Sequence, residues 1–304
     1  MNAVEIDRVT KTFGKAVVAV DDLSLAVPAG TVYGFIGPNG SGKTTTLRMI
    51  MNILYPDCGS IRVFGGELHG ACTDRIGYMP EERGLYKKMK VRELLEFYGG
   101  LKRNGDVRRA VSHWLERLDL ADWASKKVEV LSKGMSQKVQ FIATVVAGPD
   151  LVILDEPFTG LDPVNTDVIR EVVLELQSAG TTVIFSTHDM GMAEKMCDFI
   201  FMIFKGKKVL DGTLESIQSE YGSDTIRVRA ESDAGDIADI EGVEKVNNYG
   251  QYRELRVARD RDPHEILTAV MARTRVTSFE ITKPSLHDIF VRIAGAEARE
   301  VSGV

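Results

Sequence analysis

Gly30-Thr31-Val32-Tyr33-Gly34-Phe35-Ile36-Gly37-Pro38-Asn39-Gly40-Ser41-Gly42-Lys43-Thr44-Thr45-Thr46-Leu47-Arg48-Met49-Ile50 is the stretch on which the reading of the whole chain turns. Val32 to Ile36 is a short apolar run that predicts a buried strand. It breaks at Gly37, Gly40 and Gly42 into a loop and resumes as a helix carrying Leu47, Ile50 and Met51. The spacing is G-x-x-x-x-G-K-T. Glycines let backbone N–H groups turn inward around a polyphosphate, and the helix N-terminus adds the positive end of its dipole. In such a loop the lysine, here Lys43, brings charge to the β- and γ-phosphates, and the Thr44 hydroxyl is a ligand for Mg²⁺. An ordinary glycine-rich turn has no need of strand, lysine, hydroxyl and helix in one register. The stretch predicts a nucleoside triphosphate site.

Working outward, 304 residues suit two domains, or one large domain with an appendage. Apolar residues make up 44% and charged ones 27%, a globular balance. A formal charge of −6 offers no overall attraction to nucleic acid. Cys58, Cys72 and Cys197 are widely spaced and form neither a metal pattern nor a disulfide framework, which fits a reducing cytosol. No apolar stretch approaches the roughly 18 residues of a membrane span, and the N-terminus carries no signal-peptide core. Any work at a membrane is therefore expected to rely on other polypeptides for the span.

Before the loop, Val4 to Asp7, Ala16 to Val20 and Leu23 to Val27 alternate as strands, with a turn expected at Asp21-Asp22. Ile61 to Phe64 is a further short strand. Residues 73–146 change character. Helices are expected over Val91 to Leu101, after Asp106 (with Val107, Val111, Trp114, Leu115 and Leu118 on one face) and over Val139 to Val146. Leu151 to Leu154 and Thr181 to Ser186 are apolar runs of the buried parallel type, joined by a helix from Pro163 to Gly180. Such strand–helix–strand order places ligand sites at the strands' carboxyl ends. Phe199 to Phe204 and Lys208 to Leu210 read as a closing hairpin. Near Gly222-Ser223 the pattern shifts again. Strands Thr225 to Arg229, Glu254 to Ala258 and Val276 to Ile281, with helices His264 to Ala272 and Pro284 to Ile293, predict a small α+β appendage.

Three further places carry chemistry. Asp155-Glu156 follows a buried strand directly, where one carboxylate can hold Mg²⁺ and the next can orient a water. Leu131-Ser132-Lys133-Gly134-Met135 opens a helix, and its serine and glycine suit either a plain N-cap or an anion site. His188 ends the Thr181 to Ser186 strand, on the edge that the strand order shares with the phosphate loop.

As an ordered set these residues resemble the nucleotide-binding subunit of an ABC transporter, over about residues 3–220. The resemblance implies a P-loop NTPase α/β fold with a mostly parallel sheet, an antiparallel N-terminal β subdomain and a helical insertion. The nucleotide-binding domain is then residues 1–222 with the insertion at about 84–145, and residues 223–304 form a C-terminal α+β domain. Gly37, Asn39, Gly40, Ser41, Gly42, Lys43, Thr44 and Thr45 match the Walker A cradle, Leu151 to Asp155 the Walker B strand, Glu156 the catalytic glutamate and His188 the switch histidine. Leu131 to Met135 resembles the signature motif, bringing Ser132 and Gly134 to nucleotide, and Gly160-Leu161-Asp162 the D-loop. Phe13 is either the aromatic that faces adenine or a strand-core residue. Ser285 to Val291 resembles the C-terminal module of ATPases of sodium-extrusion-like exporters.

The chain departs from the family pattern twice. Glu81 stands where the Q-loop glutamine is usual, keeping an oxygen ligand for Mg²⁺ but adding charge. Lys133 replaces the first signature glycine, and either faces a phosphate or points to solvent, and Met135 replaces the signature glutamine. The resemblance implies an ATPase using ATP and Mg²⁺, with Lys43, Glu156 and His188 catalytic and Thr44, Asp155 and Glu81 at the metal. Its implied partners are a second ATPase subunit, identical or homologous, and integral-membrane permease subunits at the cytoplasmic face of the cell membrane, with no nucleic acid. The segment Gly84 to Tyr98, with Leu85, Tyr86, Met89, Val91, Leu94 and Leu95, is the expected docking surface, unless those residues are helix core. The rival reading is a soluble ABC-type ATPase acting on ribosomes or DNA. A single Walker A loop, the lack of sustained heptads and the acidic balance argue against it.

Overall fold

The computed structural model describes all residues except 15–16, 68–73, 83, 103–104, 222–224, 231–236, 259–260 and 303–304, and the side chains of 296–302. Ala16, Cys72 and the Gly222-Ser223 boundary thus lie outside the described residues. In chain order the first elements are β1 (Asn2–Phe13), β2 (Val17–Pro28), β3 (Val32–Ile36), α1 (Lys43–Ile50), β4 (Cys58–Val63) and β5 (Ile76–Met79). Next come α2 (Val91–Lys102), α3 (Arg108–Arg117), α4 (Lys133–Val145), β6 (Leu151–Asp155), α5 (Pro163–Ser178), β7 (Thr182–Thr187), α6 (Met190–Met196), β8 (Phe199–Phe204) and β9 (Lys207–Gly212). The chain closes with α7 (Leu214–Tyr221), β10 (Thr225–Ala230), β11 (Val243–Asn248), β12 (Arg253–Val257), α8 (Pro263–Met271), β13 (Val276–Thr282) and α9 (Leu286–Ser302).

Two compact units result, Met1–Thr213 and Leu214–Val304. In the first, a sheet ordered β5-β6-β7-β3-β8-β9 is parallel except for the β8–β9 hairpin at its edge. The strands β3, β6 and β7 are buried on both faces, which is why they read as unbroken apolar runs rather than alternating ones. Val152, Leu154, Val183 and Phe185 face the layer of α2–α5, while Leu151, Ile153, Ile184 and Phe201 face α1 and the N-terminal strands. Those strands form a separate antiparallel sheet ordered β2-β1-β4. Asp21-Asp22 is not a turn. Both lie inside β2, where Asp22 takes φ 47 and the register against β1 slips. The irregularity absorbs the two acids without breaking the strand.

α4 begins six residues before the expected Val139, because Ser132 caps it by accepting the Met135 N–H at 3.2 Å. Its first turns are polar and so lack the apolar period that marks a helix in sequence. In the second unit an antiparallel sheet ordered β11-β12-β10-β13 packs Ile226, Val228, Leu255 and Val257 against Ile266 and Val270 of α8. The division between units falls at Thr213, ahead of the expected 222. α7 belongs to the second unit, where Gln218 donates to the Pro284 carbonyl at 3.0 Å and Arg292 to that of Tyr221 at 3.5 Å.

Candidate functional site

β3 delivers the phosphate loop to the carboxyl edge of the sheet. Parallel register sets Ile36 beside Thr187 and Asp155 beside Ser186, so the loop, the Asp155-Glu156 pair and His188 leave neighbouring strands at one edge. The loop tolerates no side chain at two of its glycines. A Cβ on Gly37 would lie 2.3 Å from the Ile203 carbonyl, and one on Gly42, at φ 112, 2.4 Å from that of Ala19. Gly42 precedes α1 with no side-chain cap, so the first N–H groups of that helix stay open to an outside acceptor.

Lys43 is 6% exposed and its ammonium donates to the carbonyls of Gly37 at 2.6 Å and Pro38 at 3.3 Å. Glu156 Oε1 stands 3.8 Å from the same nitrogen. Burial pulls the Lys43 pKa below the ordinary lysine value, and the charges of Glu156, Asp155 and Glu81 oppose that pull. Asp155 is buried, and its Oδ1 accepts from Thr44 Oγ1 at 3.3 Å and Ser186 Oγ at 2.5 Å. The Ser186 oxygen also accepts the Glu156 N–H at 3.1 Å. His188 Nδ1 lies 3.0 and 3.1 Å from the two Glu156 oxygens; a carboxylate only accepts, so this nitrogen carries the proton. Thr159 Oγ1 adds a bond to Glu156 Oε2 at 3.4 Å.

Among the described residues, Asp155 Oδ2 and Ser41 Oγ are buried atoms with no hydrogen-bond partner. An unpaired buried carboxylate oxygen is costly unless a cation or donor answers it. The oxygen donors of Asp155 and Thr44, hard and adjacent, suit Mg²⁺. The open N–H groups, the Ser41 hydroxyl and Lys43 suit phosphate oxygens. A cleft of about 200 Å³ is lined by Ala19, Asn39, Gly40, Ser41, Gly42, Lys43, Thr44, Thr45, Glu81 and Glu156, while Asp155 and His188 are not among its lining residues.

Ser132, Gly134, Asp162 and Phe13 do not line this cleft. Ser132 is exposed and accepts only from its own helix among the bonds described, and Asp162 is exposed and caps α5 through the Asn165 N–H at 3.0 Å. Phe13 is 43% exposed at the end of β1, which excludes the strand-core alternative. Lys133 is exposed, with its side chain lying over Gly160. Of the expected docking residues, Val91, Leu94 and Leu95 are fully buried helix core, and Leu85 and Met89 pack against that core. Tyr86 is 55% exposed and clusters with Phe97, 42% exposed, and Tyr98.

Several site residues escaped sequence reading. Ser186, which ties Asp155 to Glu156, shows only as a hydroxyl directly after the apolar run Val183 to Phe185. Gln140 donates to the Pro80 carbonyl at 3.0 Å and that of Glu82 at 3.4 Å, holding the segment around Glu81. Its signal was a polar residue in an apolar helix. Ala19, whose carbonyl backs Gly42, left none.

Comparison with known proteins agrees with this geometry. A family model described as ABC transporter matches residues 20–159, and one described as ATP-binding protein DrrA1-3-like, C-terminal domain matches residues 212–294. The uncharacterized ABC transporter ATP-binding protein YhaQ of Bacillus subtilis (strain 168) is 41% identical over 294 residues, covering 96% of this chain and 98% of its own length. The daunorubicin resistance ATP-binding protein DrrA3 of Streptomyces coeruleorubidus is 32% identical over 310 residues, covering 98% and 97%. A solved ATP binding subunit of an ABC transporter superposes with a TM-score of 0.68 at 28% identity, covering 72% of this chain and 93% of that one. The chain belongs to the ATP-binding proteins of ABC transporters, with a DrrA-like C-terminal domain, and is an ATPase.

Proposed function

We propose that this chain drives an exporter, with two ATPase subunits closing over ATP and passing the resulting motion to separate membrane subunits. The observation that carries the reading is the cluster of Lys43, Asp155 and Glu156, with one buried carboxylate oxygen left unpaired beside the Thr44 hydroxyl. The exporter direction is supported by the match of residues 212–294 and by similarity to a protein named for daunorubicin resistance.

In this reading the loop from Gly37 to Thr45 wraps the triphosphate, and the Lys43 ammonium neutralises its outer oxygens. Thr44 and Asp155 would hold Mg²⁺, and Glu81 lines the same cleft as Thr44. When bound, that ion supplies charge neutralisation at the phosphate oxygens. Glu156 takes the proton of the attacking water as oxygen bonds to the γ-phosphorus and ADP leaves. The His188 Nδ1–H holds the carboxylate in place, and Ser186 sets Asp155 and Glu156 at one spacing. Phe13 offers an exposed ring to the adenine.

Ser132, Gly134 and Asp162 belong to a site that a second chain completes, and the exposure of Ser132 and Asp162 supports this. Among the described residues no helix is long and apolar enough to cross a membrane. The proposed seat is therefore peripheral, at the cytoplasmic face, with the span supplied by permease subunits. The exposed rings of Tyr86 and Phe97 are the proposed contact for them.

Glu156→Gln tests the chemical half of this reading. The variant should retain ATP with magnesium and lose turnover by about three orders of magnitude, on the scale of a positioned general base and its electrostatics. Hydrolysis at the parental rate would refute the assignment.

A further inference from the structure

Glu156 has φ 50, a left-handed backbone that a non-glycine residue keeps only where its surroundings over-determine it. Ser186 Oγ holds its N–H from one side. From the other, Gln137 Nε2 donates to the carbonyl of Pro157, the next residue, at 3.0 Å. Gln137 is 4% exposed and stands in α4, the helix whose capped first turn is Ser132 to Gly134. More of that turn packs on the same segment. A Cβ on Gly134 would sit 3.7 Å from Leu161 Cδ2 and 3.8 Å from Asn165 Nδ2, and the Lys133 side chain covers Gly160. The start of α4 and the stretch 156–165 form one packed seam, and Gln137 is its buried polar bond.

We propose that Gln137 is a positioning residue for hydrolysis: by gripping the Pro157 carbonyl it holds the Glu156 carboxylate at one fixed spacing from the Ser132–Gly134 turn. This rests on the reading of Glu156 as base and of that turn as the wall facing a second subunit's nucleotide. Glutamine suits the role because it donates without adding charge beside Lys43 and Glu156. Methionine fills much of the same volume but leaves the Pro157 carbonyl buried and unpaired. Glutamate can donate there only in its protonated form.

The test uses the full chain, with steady-state turnover and equilibrium ATP binding measured in parallel. Gln137→Met should lower kcat by about tenfold, as expected for a lost buried hydrogen bond at a reacting group, and move the ATP dissociation constant by less than about twofold. Gln137→Glu should regain turnover, relative to the parent at each pH, as the pH is lowered from about 9 to about 6. An unchanged kcat in Gln137→Met would overturn the proposal. So would equal losses of kcat and ATP affinity, or a flat pH ratio for Gln137→Glu. If Glu156→Gln still hydrolyses ATP, the functional reading itself has failed. If Glu156→Gln behaves as expected and the Gln137 variants do not, only the positioning role falls.

Discussion

The carboxyl edge of β3, β6 and β7 and the first turn of α4 are the two places proposed to meet an anion, and they are finished to different degrees. At the sheet edge Lys43, Asp155 and Glu156 are buried, and their charges are held by carbonyls, hydroxyls and one imidazole. At the α4 turn Ser132 is exposed and its hydroxyl accepts only the Met135 N–H among the bonds described. Buried charge held in fixed geometry acts strongly because it needs no reorganisation at the moment of reaction. An exposed helix turn has no such advantage until something covers it and removes the water. The contrast locates what this chain does alone, which is to cradle a triphosphate, and what it leaves to an encounter.

The largest effect should come from the buried side. Asp155→Asn removes the charge behind the unpaired Oδ2 and should cut kcat by about a hundredfold or more, with ATP retention losing its dependence on magnesium. Titrating ATP binding against Mg²⁺ checks it. At the exposed side, Ser132→Arg should leave the ATP affinity of the isolated chain within about twofold and reduce turnover by about tenfold or more, through bulk at a surface that must close. Equal damage to both quantities would erase the distinction between the two regions. The smallest effect belongs to Glu81, which lines the cleft and feeds charge to Lys43. Glu81→Gln should shift the half-saturating Mg²⁺ concentration for ATPase by about threefold, the scale of one screened charge. Unchanged activity at every Mg²⁺ concentration would remove Glu81 from the metal's surroundings.

Much of the sheet edge was legible because its parts obey local rules. A G-x-x-x-x-G-K-T loop must follow a strand and open a helix, and apolar runs such as Leu151 to Leu154 must be buried on both faces. What stayed hidden depends on contacts across the sheet or between helices. Ser186 matters only because parallel register sets it beside Asp155. Gln137 and Gln140 matter because α4 runs against loops that sequence separation says nothing about. The docking expectation was too broad for a related reason. Val91, Leu94 and Leu95 share one face of α2 and fill the core, so only Tyr86 and Phe97 keep exposed rings. In the second unit β11 went unread, since Val-Glu-Lys-Val-Asn-Asn is a half-exposed edge strand with little β preference of its own.

The central claim, that the buried cradle is completed by a second copy, is tested most directly by the mass of Glu156→Gln in solution. Light scattering with ATP and magnesium should give twice the monomer mass with one ATP bound per chain, returning to monomer when ATP is withdrawn. A variant that binds ATP fully and stays monomeric at every concentration would contradict the account.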